Sequence, residues 1–311
     1  MASNEIEILD PAATVEQLKK TAAGRAQNRR RFIAALGMTG AAAGAALMAG
    51  CNVGSKTVSA TTTFGSGETD VLNFALNLEY LEATFYSFIT QGVDLSGPAV
   101  AGSGAITGAP GKLTFTATNA QQITDMLNEI YFDEKNHVSA LLSQLGSSAV
   151  PRPAINLAAY APITATNALS IARLFEDVGV TAYTGASTAL VNTNLTFAAQ
   201  ILGVESFHAG ALRLVSIQNP TIALYAQADS LDVAPFDPGS AVLAAAGPSP
   251  SGGFFATYGA SAAGTTAGMA YSRTTSQVLA IVYGSGGAAA STGTSSGGFF
   301  PNGMNGAIKT V

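Results

Sequence analysis

Between residues 69 and 217 the chain alternates apolar and polar positions with the period of an α-helix. Val71, Leu72, Ala75, Leu78, Leu81, Phe85 and Phe88 recur at three- and four-residue steps and predict a helix from about Thr69 to Ile89. A second runs from about Asn119 to Leu145, with Asn119 placed to cap its start and Gly146 to stop it. A third covers about Thr166 to Leu190, and a fourth about Leu195 to Ile217, ended by Asn219-Pro220. The Gly/Pro/Thr-rich stretch 90–118 reads as a long loop or a small hairpin. Residues 147–165, with Pro151, Pro153 and Pro162, make a second long connection, whereas a few residues around Asn192-Thr193-Asn194 join helices three and four. A short joint forces antiparallel neighbours and a long one permits a crossover. The pattern is that of an all-α four-helix bundle over 68–219.

Beyond Thr221 the texture changes. Pro235, Pro238, Pro248, Pro250 and many glycines break regular structure, and one helical patch remains, Thr275 to Tyr283. Gly-Gly-Phe-Phe occurs at Gly252–Phe255 and again at Gly297–Phe300. Each reads as a turn that inserts a Phe pair into apolar surface. Residues 220–311 are expected to form a mostly irregular extension packed on the bundle.

The first residues read as an address. Asn28-Arg29-Arg30-Arg31-Phe32-Ile33 precedes an Ala/Gly-rich apolar run, the order of an export signal, and its arginine pair resembles a twin-arginine signal. Leu47-Met48-Ala49-Gly50-Cys51 resembles a lipobox, which would attach lipid at Cys51 and tie the protein to a membrane. Residues 1–51 then form the signal and 52–67 a Ser/Thr/Gly-rich tether. The alternative is a membrane anchor, since Phe32 to Ala49 is just long enough to span, though weakly apolar. The expected location is the periplasm or cell surface.

Composition narrows the function. Charged residues are only 11% of the 311. Seven of the fourteen Lys/Arg lie within the first 56 residues, which leaves seven basic against fifteen acidic residues, a net −8, in the rest. No basic stripe remains to neutralise a phosphate backbone, so nucleic acid is excluded as a partner. A single cysteine excludes an internal disulfide and any Cys-based zinc site.

The chemistry concentrates in four short segments. Glu134-Lys135-Asn136-His137 lies midway along helix two and Glu205-Ser206-Phe207-His208 midway along helix four. Glu and His at i and i+3 project from one helical face and can reach one ion. These are the only two histidines in the chain. Helices one and three each carry a central glutamate followed seven residues later by a tyrosine: Glu79 with Tyr86, and Glu176 with Tyr183. Apolar neighbours flank both carboxylates, and an unpaired carboxylate is costly to bury. One Glu from each of two helices and Glu-x-x-His from the other two is the ligand order of two-metal bundles. Glu134 and Glu205 would bridge the ions, and Glu79 and Glu176 would each bind one terminally. Oxygen-rich ligation with imidazole suits two Fe or Mn ions. Glu82, one turn beyond Glu79, is an alternative ligand; the internal repeat favours Glu79, because Gly179 stands where helix three would match Glu82. Tyr86 and Tyr183 read either as hydrogen-bond donors to ligating carboxylates or as core tyrosines. Asp133, Glu129 and Asp177 adjoin the ligands but are expected to face elsewhere, toward solvent or loops.

These segments resemble the ferritin, bacterioferritin and rubrerythrin superfamily, and more specifically the secreted ferritin-like domain proteins that include desiccation-related and fungal stress-response proteins. Phe74 to Tyr86, Arg273 to Gly284 and Gly297 to Gly306 carry the narrower likeness. By position the resemblance implies Glu79, Glu134, His137, Glu176, Glu205 and His208 as metal ligands. The implied chemistry is redox, with oxygen or peroxide: a ferroxidase, an oxidase or a catalase-like enzyme. Other readings stay open: a stress protein whose metal site is structural or vestigial, and a cell-surface protein whose Gly-rich tail associates into a homo-oligomer. A closed iron-storing shell is not expected of a chain with long insertions and a tail of about 90 residues.

Overall fold

The computed structural model of the protein describes residues 67–95, 103–223, 228–229, 232, 269–270 and 272–311. The export signal, Cys51 and the first Gly-Gly-Phe-Phe lie outside the described residues.

Helix α1 spans Glu68–Gln91, α2 Ala120–Leu145, α3 Ala168–Ala186, α4 Asn192–Gln218 and α5 Thr275–Val282. Each lies within a few residues of its predicted span. The largest shift is at the α3–α4 joint, which occupies residues 187–191, with Asn192 in the left-handed region at φ 48° as the first residue of α4. Asn119 takes the N-cap position of α2 without a side-chain cap; its amide instead donates to Gln218 Oε1 at 3.3 Å. α5 begins on a full capping box between Thr274 and Gln277.

Hydrogen bonds fix the helix directions. Gln91, at the end of α1, donates to Asn128 near the start of α2, while Asn73, near the start of α1, donates to the Ser148 carbonyl beyond the end of α2. α1 and α2 are therefore antiparallel, as are α3 and α4 across their short joint. Tyr86–Glu176 and Tyr183–Glu79 run α1 antiparallel to α3. It follows that α2 and α3 point the same way, so residues 146–167 must return along the bundle. The loop before α2 does not form a hairpin of its own among the described residues. Its strand β1 (Ile106–Thr107) pairs in parallel with β2 (Ile155–Asn156) of the return segment, Ile106 opposite Ile155.

The two helix pairs are not equivalent in burial. α1 and α3 are buried almost all round, whereas α2 and α4 bury one stripe each and present the other to solvent. The extension accounts for part of the difference. Phe299 and Phe300 are fully buried, and Phe299 stacks edge-on against Phe175 of α3, ring centroids 5.0 Å apart. Gly298 permits this turn: it sits at φ 50°, and a Cβ there would strike the Gly284 carbonyl. Asn77 of α1 donates to the Asn305 carbonyl at 2.9 Å and accepts from Asn305 N–H at 3.1 Å.

Three buried arginines tie further segments down. Arg213 grips both oxygens of Asp177 (2.9 and 2.7 Å), and Arg173 joins Asp177 at 2.7 Å and Asp232 at 3.2 Å. Arg273 forks onto Asp229, both bonds 2.8 Å, and donates to Thr181 Oγ1 at 2.6 Å. Such planar bidentate pairs are the geometry in which a buried charge is best compensated. Among the described residues no helix is long and apolar enough to cross a membrane.

Candidate metal centre

One carboxylate from the middle of each of the four helices points into the space between them. Glu79, Glu134, Glu176 and Glu205 are all fully buried, and His137 and His208 nearly so. Ligand atoms of Glu79, Glu134, His137 and Glu205 lie within 4.8 Å of one another, and so do those of Glu134, Glu176, Glu205 and His208. The two groups share Glu134 and Glu205. The imidazole centroids are 6.3 Å apart. All six predicted residues thus meet in one place.

Both histidines turn Nδ1 inward. His137 Nδ1 lies 3.2 Å from Glu79 Oε2, 3.3 Å from Glu134 Oε2 and 3.4 Å from Glu205 Oε1. His208 Nδ1 lies 3.0 Å from both Glu134 Oε1 and Glu176 Oε2. The tyrosines cross between α1 and α3: Tyr86 Oη donates to Glu176 Oε1 and Tyr183 Oη to Glu79 Oε1, each at 2.5 Å. Both act as donors to the buried carboxylates of Glu176 and Glu79 rather than as plain core residues. Burial first, and then the neighbouring carboxylate, pushes both phenols well above their ordinary pKa, so they stay protonated donors.

Glu82 is also buried, but it belongs to neither four-residue group. It stands beside Gly179, and the missing side chain there matters. A Cβ on Gly179 would collide with Glu205 Oε2, lie 3.1 Å from Glu205 Cδ and 3.4 Å from Glu82 Oε1. The glycine leaves the space that the Glu205 carboxylate occupies.

So many acids in one dry volume shift each other. Burial, and then repulsion from Glu176 and Glu79, raises Glu134 to about 7. Burial with neighbouring carboxylates raises Glu82 and Glu205 well above the usual range. Burial opposes charging His208, yet Glu176 and Glu134 push it up to about 12, and His137 is raised further still, chiefly by Glu79. Burial acts against ionising Glu79 too, but His137 holds it below the ordinary carboxylate value.

The donor set fits divalent cations. Glu205 Oε2 is buried with no partner, Glu205 Oε1 has only His137 Nδ1 at 3.4 Å, and Glu134 Oε1 must share His208 Nδ1 with Glu176 Oε2, so the shared carboxylates are the ones with unused acceptor capacity. Leaving such oxygens dry and under-satisfied is costly. Cations placed among them would remove that cost.

Two residues escape simple helical-face reasoning. Asp133 does not face away: its Oδ2 meets His208 Nε2 at 3.1 Å. Asp177 is neither solvated nor loop-bound, being buried between Arg173 and Arg213. Glu129 does face outward, where it lines a cavity of about 240 Å³ on the α2–α4 side together with Asp133, Phe207 and His208.

Four helices, a return segment between α2 and α3, and a buried carboxylate–imidazole cluster define the class of carboxylate-lined, metal-binding-type four-helix bundles. Residues 67–218 match the family model of the ferritin-like domain, and the bundle belongs to that superfamily. Compared with curated proteins, the chain finds no match.

Proposed function

We propose that this protein holds two ions of iron or manganese, with Glu134 and Glu205 bridging, Glu79 and His137 completing one position, and Glu176 and His208 the other. The observation that carries it is the pair of four-residue ligand groups that share Glu134 and Glu205, with more buried carboxylate oxygens than the two imidazole nitrogens can satisfy and Glu205 Oε2 left with no partner. Reducible ions with open coordination positions supply electron-transfer chemistry with oxygen or peroxide. The chain's own part is to orient the carboxylates through Tyr86 and Tyr183, keep them largely dry, and leave an approach to His208 through the cavity between α2 and α4. Ferroxidase, oxidase or catalase-like activity in stress protection is the reading these features support.

The test is metal analysis of the native protein beside a His137→Ala/His208→Ala double variant, with oxygen uptake on adding ferrous iron and oxygen release from peroxide. The double variant should lose nearly all bound metal. The near-complete enclosure of α1 and α3 favours a second reading, a structural ion pair whose main effect is to neutralise buried carboxylates. Bound metal without turnover in either assay would select it.

Export is proposed on sequence grounds alone. The Arg29-Arg30 pair and the apolar run after it support a twin-arginine route to the periplasm or cell surface, with lipid on Cys51 as an anchor. An Arg29→Lys/Arg30→Lys variant should stay inside the cell, as cell fractionation would show.

A further inference from the structure

The centre has an internal two-fold likeness. Glu79 matches Glu176, Tyr86 matches Tyr183, Glu134 matches Glu205 and His137 matches His208, each in partnership and in burial. The likeness fails at the residue before each Glu-x-x-His, which is Asp133 in α2 and Val204 in α4.

That difference falls on the histidines. His208 is held at both ring nitrogens: Nδ1 faces Glu134 and Glu176, and Nε2 meets Asp133 Oδ2 at 3.1 Å. His137 turns Nδ1 inward in the same way, but no side chain among the described residues meets its Nε2. An imidazole that binds an ion through Nδ1 must carry its proton on Nε2. A carboxylate there fixes that tautomer, stops the ring turning and makes the ligating nitrogen more basic. His208 also borders the cavity of about 240 Å³, so Asp133 restrains the ring that has open space beside it. Asp133 itself is only partly exposed, its side chain at 30%.

We propose that the two ion positions are inequivalent, and that Asp133 is the positioning residue that makes the Glu176–His208 position tighter and first to fill. The Glu79–His137 position is then the weaker and more readily exchanged. This rests on the two-ion reading above.

The test is a calorimetric titration of the metal-free full chain with Mn²⁺, which reads binding and not turnover. The expected result is two steps of one ion each. Removal of an outer partner of this kind lowers affinity by about 10- to 100-fold. Asp133→Leu should therefore weaken the tighter step by that factor and leave the helical circular dichroism unchanged. Asp133→Asn, which keeps an acceptor but not the charge, should weaken it less. His137→Ala should abolish the weaker step alone. Val204→Asp, which supplies α4 with the missing carboxylate, should strengthen the weaker step. A single step of two identical ions, or an Asp133→Leu variant that weakens both steps alike or neither, overturns the inequivalence while the metal centre stands. A chain that binds no Mn²⁺ and no Fe²⁺ overturns the metal centre itself, a result no loss of inequivalence could produce.

Discussion

Tyr183 on α3 donates its hydroxyl to Glu79 on α1 at 2.5 Å, in a volume closed to water. The bond does two things: it satisfies one carboxylate oxygen and aims the other, Oε2, at His137 Nδ1, 3.2 Å away. Tyr183→Phe removes the donor and leaves a buried oxygen bare. The expected cost to the metal-free protein is about 1–3 kcal/mol by denaturant unfolding, with a roughly 10- to 100-fold loss of ion affinity. Unchanged values in both would mean that the tyrosine merely fills space.

Gly179 offers a sharper test of the shared carboxylate. Gly179→Ala adds one methyl group, and that methyl collides with Glu205 Oε2. Alanine is otherwise the better helix former, by about 1 kcal/mol. The variant should therefore keep its helical content yet hold fewer than two ions, as elemental analysis would show. Full ion content would place Glu205 elsewhere in the loaded protein.

The cluster also sets a pH dependence, and its sign follows from the raised values. Between the ordinary carboxylate value of 4.5 and about 7, the folded chain keeps a proton on Glu134 that the unfolded chain has lost. Between 6.5 and about 12 the same holds for His208. The metal-free protein must thus lose stability as pH rises through both windows. Ion binding displaces these protons, so affinity rises with pH instead. Thermal unfolding at about pH 5 and about pH 8 should show Tm falling for the metal-free form, and the gap between it and the Mn²⁺-loaded form widening. A metal-free Tm that climbs over this range contradicts the assignment.

Asp177 lies next to Glu176 in sequence but is turned out of the cluster, into Arg173 and Arg213. Removing one member of a buried charge cluster typically costs about 3–5 kcal/mol. Asp177→Ala should show that loss in chemical denaturation. Asp125→Ala, on the exposed face of α2, should show almost none.

Phe299 tests the extension. Its ring fills space between Phe175 and Tyr160, 5.0 Å from each centroid to centroid. Phe299→Ala should destabilise the bundle by about 3–5 kcal/mol. A negligible change would show the extension to be dispensable to the helices.

Much of this could be read from the chain before any coordinates. Two histidines, each three residues after a glutamate on a strongly periodic segment, can hardly be placed otherwise once the helices pack. The glutamates seven residues before Tyr86 and Tyr183 follow from the same repeat, and Gly179 carries the asymmetry that sets Glu82 apart. What stayed hidden depends on neighbours. Asp133 sits off the ligand face of its own helix, and only the antiparallel approach of α4 brings the outward nitrogen of His208 onto it. Asp177 looks like a surface charge until Arg213, thirty-six positions later, is folded against it. The pairing of β1 with β2 joins two loops whose composition offers no periodicity to match.

The bond between Asn77 and Asn305 spans 228 positions of chain. A ribosome will have released all the helices of the bundle long before the partner of Asn77 has been made. The contacts that Asn305 makes with α1 are therefore latecomers, added to helices that have already left the ribosome.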